Sequence, residues 1–161
     1  MKKAVVLILA VICLFIFVGC NIERVNDKTE VYTFHSENEY ISVKNGTAVI
    51  DGDEEMFSGG NLEILNDEPF ADAVYWRYEF YILNDSEEET IYVGSVSDET
   101  GGASVNIEGD LGKISGGDTI TKYDDSYADD FVNNLYLKFI VKNADGEENT
   151  YRLQMKVNKV Y

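Results

Sequence analysis

His35 is the only imidazole in the 161-residue chain, Cys13 and Cys20 are its only thiols, and 30 carboxylates surround them. A Ser-His-Asp system would have to run through His35. Ser36, next to it in an extended strand, faces the opposite way, and there is no Gly-x-Ser-x-Gly elbow. His35 therefore reads as a half-buried or surface side chain. A zinc centre would need carboxylates around that one imidazole, a poor donor set for a structural or catalytic site. The glycines form no phosphate loop and no dinucleotide fingerprint. Gly109 and Gly112 are read as turn residues. The expectation is that there are no catalytic residues, no metal site and no cofactor, and that the chain is not an enzyme.

The acids fall into four clusters: Asp51-Asp53-Glu54-Glu55, Asp85-Glu87-Glu88-Glu89, Asp124-Asp125 with Asp129-Asp130, and Asp145-Glu147-Glu148. None has EF-hand spacing, which requires a later glycine and a glutamate at the twelfth place. Asp124 to Asp130, near a helix start, is where a calcium ion would go. A glycosidase needs only two carboxylates at a suitable separation, but no pair stands out. Solvated loop charge is the simpler reading. The formal net charge of −17 repels nucleic acid, which is excluded as a partner. It also repels anionic headgroups, so a basic patch does not hold this chain on a membrane.

The N-terminus offers another means. Met1-Lys2-Lys3 is basic, Ala4 to Val18 is almost wholly apolar, and Phe17-Val18-Gly19-Cys20 is followed at once by polar Asn21. The apolar run falls short of the roughly 20 residues a transmembrane helix needs and matches a secretory signal. Its last four residues resemble the lipobox of bacterial lipoproteins of the Gram-positive type. Phe17 stands where that motif has leucine, and Gly19 supplies the small residue before the cut. The resemblance implies cleavage before Cys20, diacylglycerol on its sulfur and, in some bacteria, acylation of the new amine. Cysteine arithmetic agrees with it. Cys13 leaves with the signal, so no disulfide can form in the mature chain, and lipidation disposes of an otherwise unpaired thiol. Residues 1–19 are thus read as a signal peptide. Residues 20–30 are the lipidated cysteine and a polar tether, and residues 31–161 are one domain of ordinary size.

From Val31 onward the period is two almost throughout. Val31 to Ser36 reads as a strand. Asn45-Gly46 reads as a hairpin turn that sets Val43 against Ala48 and Ile41 against Ile50. Short strands are expected on either side of Gly59-Gly60, and a long central one from Val74 to Leu83. Its Val74, Trp76, Tyr78, Phe80 and Ile82 share one face, and Tyr75, Arg77, Glu79 and Tyr81 the other. Strands follow at Thr90 to Ser97 and Asp118 to Tyr123, with a turn at Gly109 to Gly112. A short helix from Tyr127 to about Asn133 opens on a Ser126–Asp129 capping box.

The last two strands must place Leu135, Leu137, Phe139 and Val141 on the same face as Tyr151, Leu153, Met155 and Val157. A three-residue loop of Ala144, Asp145 and left-handed Gly146 does this, pairing Phe139 with Tyr151, Leu137 with Leu153 and Leu135 with Met155.

Many short strands with almost no helix predict an all-β chain: a two-sheet antiparallel β-sandwich of Ig-like architecture after an N-terminal signal helix, with a closed barrel as the alternative. Trp76 is a core anchor. Tyr75 and Tyr81, flanking Arg77, either complete a packed strand or offer a binding surface. The functional expectation is a lipoprotein held through Cys20 at the outer face of the cytoplasmic membrane. Its domain binds or supports an envelope protein or a cationic peptide. A small secreted hydrolase and a calcium-dependent adhesion or sensing module are the alternatives.

Overall fold

The computed structural model describes residues 29–50, 55–97, 106–116 and 125–161. The signal segment, Cys20, the expected strand at Asp118 to Tyr123 and the capping-box side chain of Ser126 lie outside the described residues and side chains.

The described chain is mostly β-strand, in two antiparallel sheets with one α-helix. The first sheet contains β1 (Glu30–Glu37), β2 (Ile41–Ile50), β3 (Glu55–Ser58), β4 (Asn61–Ile64), β7 (Gly109–Asp110), β8 (Lys113–Ser115) and β11 (Lys156–Lys159). The second has the order β10-β9-β5-β6, from β5 (Ala73–Asn84), β6 (Glu87–Ser97), β9 (Leu135–Asn143) and β10 (Glu148–Gln154). Their inner faces share one core, in which Phe34 and Phe57 of the first sheet meet Phe80 of the second at 5.7 and 5.0 Å between ring centroids. The chain passes from one sheet to the other at Met155, between β10 and β11, with that side chain buried. A strand that changes sheets in this way makes a corner.

Asn45-Gly46 does not make a hairpin. β2 runs straight through it and pairs with β1 along both halves. The partners on its other side are β4 for Ile41 to Lys44 and β3 for Thr47 to Ile50, in one unbroken register. β7 and β8 continue that pattern against β4 and β3. Hence β3 and β4 are one strand interrupted at Gly59-Gly60, and β7 and β8 one strand interrupted at Leu111-Gly112. The expected reverse turn at Gly109 to Gly112 is likewise this interruption, bridged by Gly59 N–H to Gly112 O (3.0 Å) and Leu111 N–H to Gly60 O (2.8 Å).

The misreading has a physical cause. Asn45 has φ 59°, the left-handed conformation that a type I′ turn needs. A bulge needs it equally, and here Lys44 and Asn45 together oppose His35. The extra residue flips the parity of the strand. Ile41 and Val43 therefore still share the core face with Ala48 and Ile50, as the hydrophobic pattern required.

The β9–β10 loop follows the pattern: Phe139 pairs with Tyr151 and Leu137 with Leu153, and Gly146 has φ 91°. The expected last strand does not run on to Val157, because the corner at Met155 carries Val157 into the first sheet, opposite Phe34. Trp76, Tyr78, Phe80 and Ile82 point into the core, with Ala73 buried at the strand's start in place of Val74. The turn between β5 and β6 is shorter than expected, because left-handed Asp85 and Ser86 close it and free Glu87 to Glu89 to extend β6. The helix α1 (Asp125–Asn134) already includes Ser126, so that serine is not the N-cap that the capping-box pattern implied, and the helix buries Tyr127 and Phe131, one turn apart on one face. The Phe131 ring packs 5.2 Å from Tyr32.

Interrupted strands and bulge line up across the sheet as a crease. Gly46 lies under the Phe34 ring, which a Cβ there would overlap. A Cβ on Gly59 would come within 2.8 Å of the Leu111 Cβ and 2.9 Å of the Phe80 ring. Gly46→Ala should therefore cost about 1–3 kcal/mol through overpacking. Gly146→Ala meets nothing within 4 Å and carries only the strain of its positive φ, about 1 kcal/mol. Urea unfolding of the two variants should rank them in that order.

Candidate functional site

Alternation along β5 turns Tyr75, Arg77, Glu79 and Tyr81 away from the core. Pairing then sets Tyr81 beside Tyr136, and Glu79 beside Lys138 of β9, which in turn lies beside Arg152 of β10. The two tyrosine rings stack at 5.6 Å and 21°. The Lys138 ammonium sits 5.0 Å over the Tyr81 ring, and Arg152 Nη1 donates to the Tyr81 hydroxyl at 3.0 Å. Glu88, across on β6, accepts from Lys138 and, at 2.5 Å, from Arg152. Glu79 accepts from the Thr90 hydroxyl, with Lys138 at 3.6 Å and Arg77 at 3.4 Å. Together these cover Tyr81, which is 1% exposed. Tyr81 is thus a packing residue, and Tyr75 is half-buried. The three cations are occupied by two carboxylates, so this face ties four strands together and offers no open site.

A different surface is concave. At the end of the molecule formed by the Asn38–Tyr40 turn, β4 continues into a 3-10 turn at Glu68–Phe70, opened by Pro69. Asn38 Oδ1 accepts from the Tyr40 and Ile41 amides, both at 2.8 Å, and the Tyr40 carbonyl holds the Leu65 amide at 2.7 Å. Phe70 packs 5.2 Å from Tyr151, which packs 5.2 Å from Tyr40. Glu108 accepts from the Ile64 amide at 3.1 Å, and the Trp76 indole donates to the Asn106 carbonyl at 3.1 Å. These ties frame a cleft of about 750 Å³. Ile64, Leu65, Phe70 and Ile107 give it apolar walls, and Asp67 and Glu108 add carboxylates. Leu65 is 50% exposed. Beside it, Glu39 holds the Tyr40 hydroxyl above the usual phenol range by hydrogen bond and charge. Burial does most of the same for Tyr151. Both phenols stay neutral and can donate. The exposed lining is more polar than apolar, with Leu65 beside the Asp67 and Glu108 carboxylates and Asn106, which suits a cationic group carrying a short apolar portion.

The cleft lies at the opposite end of β1 from Glu30. At the Glu30 end, Val31 N–H donates to the Tyr161 carbonyl (2.9 Å) and Val160 N–H to Val31 O (2.7 Å). Glu30, 3% exposed, accepts from the Tyr32 hydroxyl and the Lys159 ammonium. Nothing in the sequence marks Glu30 as a buried ion-pair partner, because Lys159 is 129 residues away.

His35 is exposed on the outer face of the first sheet, and Ser36 points inward to donate to the Gln154 carbonyl at 2.7 Å. They do not cooperate. Among the described residues, no group of three or more His, Cys, Asp or Glu side chains is placed to hold a metal ion. Also among them, no helix is long and apolar enough to cross a membrane. Comparison with protein-family models, with curated proteins and with solved structures finds no match.

Lys138 and then Arg152 hold the Glu88 carboxyl below its ordinary value of 4.5. A carboxylate depressed in the folded state stabilises it above its unfolded value, and that contribution is lost as pH falls through the folded one. Glu88 is partly exposed, so screening limits it to about 1 kcal/mol. Glu88→Gln should lower unfolding free energy by that amount at neutral pH. It should also lose less stability than wild type on acidification from about pH 5 to about pH 3.

Proposed function

We propose that the chain is a bacterial membrane-anchored lipoprotein whose extracytoplasmic domain, an Ig-like sandwich, binds an envelope protein or a cationic peptide. Cys20 carries the lipid after the signal segment, 1–19, is removed. Residues 20–29 form the tether, one residue shorter than the sequence pattern implied because Glu30 is already paired in β1, and the rest is the binding domain at the outer face of the cytoplasmic membrane. What carries this reading is the run from Ala4 to Val18 closing on Phe17-Val18-Gly19-Cys20.

The position of the cleft supports the binding role. A tether of ten residues reaches at most ~35 Å, so the domain rides close to the bilayer. The tether joins at the Glu30 end, and the Leu65–Phe70 cleft is at the other, facing away from the membrane. The charge complements the partner: the net −17 becomes two units more negative once Lys2 and Lys3 leave with the signal. Such a field draws cationic partners inward over about 8–10 Å at ordinary salt.

Two measurements test the two halves. Mass spectrometry of the membrane fraction should find a mature chain beginning at acylated Cys20, and Cys20→Ser should leave an unprocessed, unacylated chain. An unmodified thiol, or Met1 still in place, overturns the anchor. Envelope partners cross-linked to wild type should be lost from Leu65→Asp at unchanged melting temperature. Equal recovery by both overturns the cleft as the binding surface.

A further inference from the structure

The bulge that bends β2 also shapes its solvent side. There a second groove, about 570 Å³, crosses the outer face of the first sheet. Its middle is one row of residues on three neighbouring strands: Lys156 of β11 opposite His35 of β1, and His35 opposite Lys44 and Asn45 of β2. The next row brings Thr33 and Thr47 to the same groove.

Directly opposed side chains on one face stand about 5 Å apart at Cβ. The row thus gathers two ammonium groups, an imidazole that can donate in either protonation state, an amide and hydroxyls. Glu37 is the one carboxylate lining the groove. Lys44 is held at 2.5 Å by Glu63, outside the groove, through a pair half exposed on both sides. A pair of that kind contributes little and releases its lysine readily. Lys156 and His35 have no ion pair among the described residues.

This grouping is unusual in its setting. In a chain with 30 acids and 13 lysines and arginines, chance favours a carboxylate opposite any cation. The network over Tyr81 meets that expectation; in this row Lys44 meets it through Glu63, and Lys156 and His35 do not. We propose that the groove is a binding site for a small oxyanion, the carboxylate or phosphate group of a ligand. Lys156 and Lys44 would supply charge, and His35, Asn45 and the threonines would supply neutral donors. It is distinct from the cleft at Leu65 and depends neither on that cleft nor on the lipid anchor.

The single histidine makes the test clean, because the imidazole ring protons give one set of NMR signals. The full chain in detergent micelles is titrated with sodium phosphate and, separately, sodium acetate, at fixed pH and at ionic strength held constant with sodium chloride. A saturable shift of the His35 signals with either anion is expected. Which anion saturates identifies the oxyanion. Lys156→Gln should weaken that binding about threefold, as one exposed charge contact is worth. Lys142→Gln, on the other sheet, should leave it unchanged. Signals that stay still or drift without saturating overturn the proposal. So does a Lys156→Gln chain of unchanged melting temperature that binds as wild type does.

Discussion

The rest of the fold depends on a line of missing side chains. Gly46, Gly59 and Gly112 lie side by side on three neighbouring strands of the first sheet, with Gly60 next to Gly59 along the chain. Bare backbone there lets Phe34 and Phe80 reach the strands themselves. The sheet bends at this line because Asn45 and Gly60 adopt positive φ and a residue of β2 goes unpaired. On the inner side of this line Phe57 lies against Phe34 and Phe80 together. The three rings lie within 5.0–5.7 Å of one another, and such contacts add about 0.5–1.5 kcal/mol per pair beyond area burial. The crease faces both ways. Inward it seats the aromatic core, and outward it opens the groove in which Lys156, His35 and Lys44 meet.

The second sheet solves a different problem. Its central strand, β5, is covered on both faces, and the outer cover is made of charge. Lys138 and Glu79 have side chains 14% and 11% exposed, so both have lost much of their hydration. Loss of hydration is tolerable only when each charge keeps its partners. The arrangement gives Lys138 two carboxylates and a tyrosine ring, and gives Glu88 two cations. Binding such a face would require a partner to break this network, which is a reason to look for recognition elsewhere on the molecule.

Local signals in the sequence were enough for some of this and not for the rest. The β9–β10 register was legible because hydrophobic parity and loop chemistry each constrain it, and only one loop length satisfies both. The Asn45-Gly46 segment carries the same two signals, yet hairpin and bulge satisfy them equally. What decides between them is β1, which pairs along the full length of β2 and leaves no room for a reversal. That contact lies outside any local window. The same limit applies to sites. Lys156 and His35 are 121 positions apart, and Glu30 and Lys159 are further. No spacing rule could group them, whereas Tyr75, Arg77 and Tyr81 drew notice because they are near one another in sequence.

Proximity in sequence and availability in space pull in opposite directions here. Alternation put Tyr75, Arg77 and Tyr81 on one face, but a central strand has neighbours on both sides to cover what it turns outward. Residues at Leu65 and Phe70 show no periodicity, because they leave a strand and enter a 3-10 turn. Phe70 turns in against Phe139 and Tyr151 of the second sheet, while Leu65 is left half exposed beside it. The backbone groups of such a segment need other partners, and the structure gives them the Tyr40 carbonyl, the Asn66 side chain and Glu108 nearby. A connection fastened this firmly holds its shape without the sheet. That is the property a recognition surface needs if its partner is to be met by a preformed cleft.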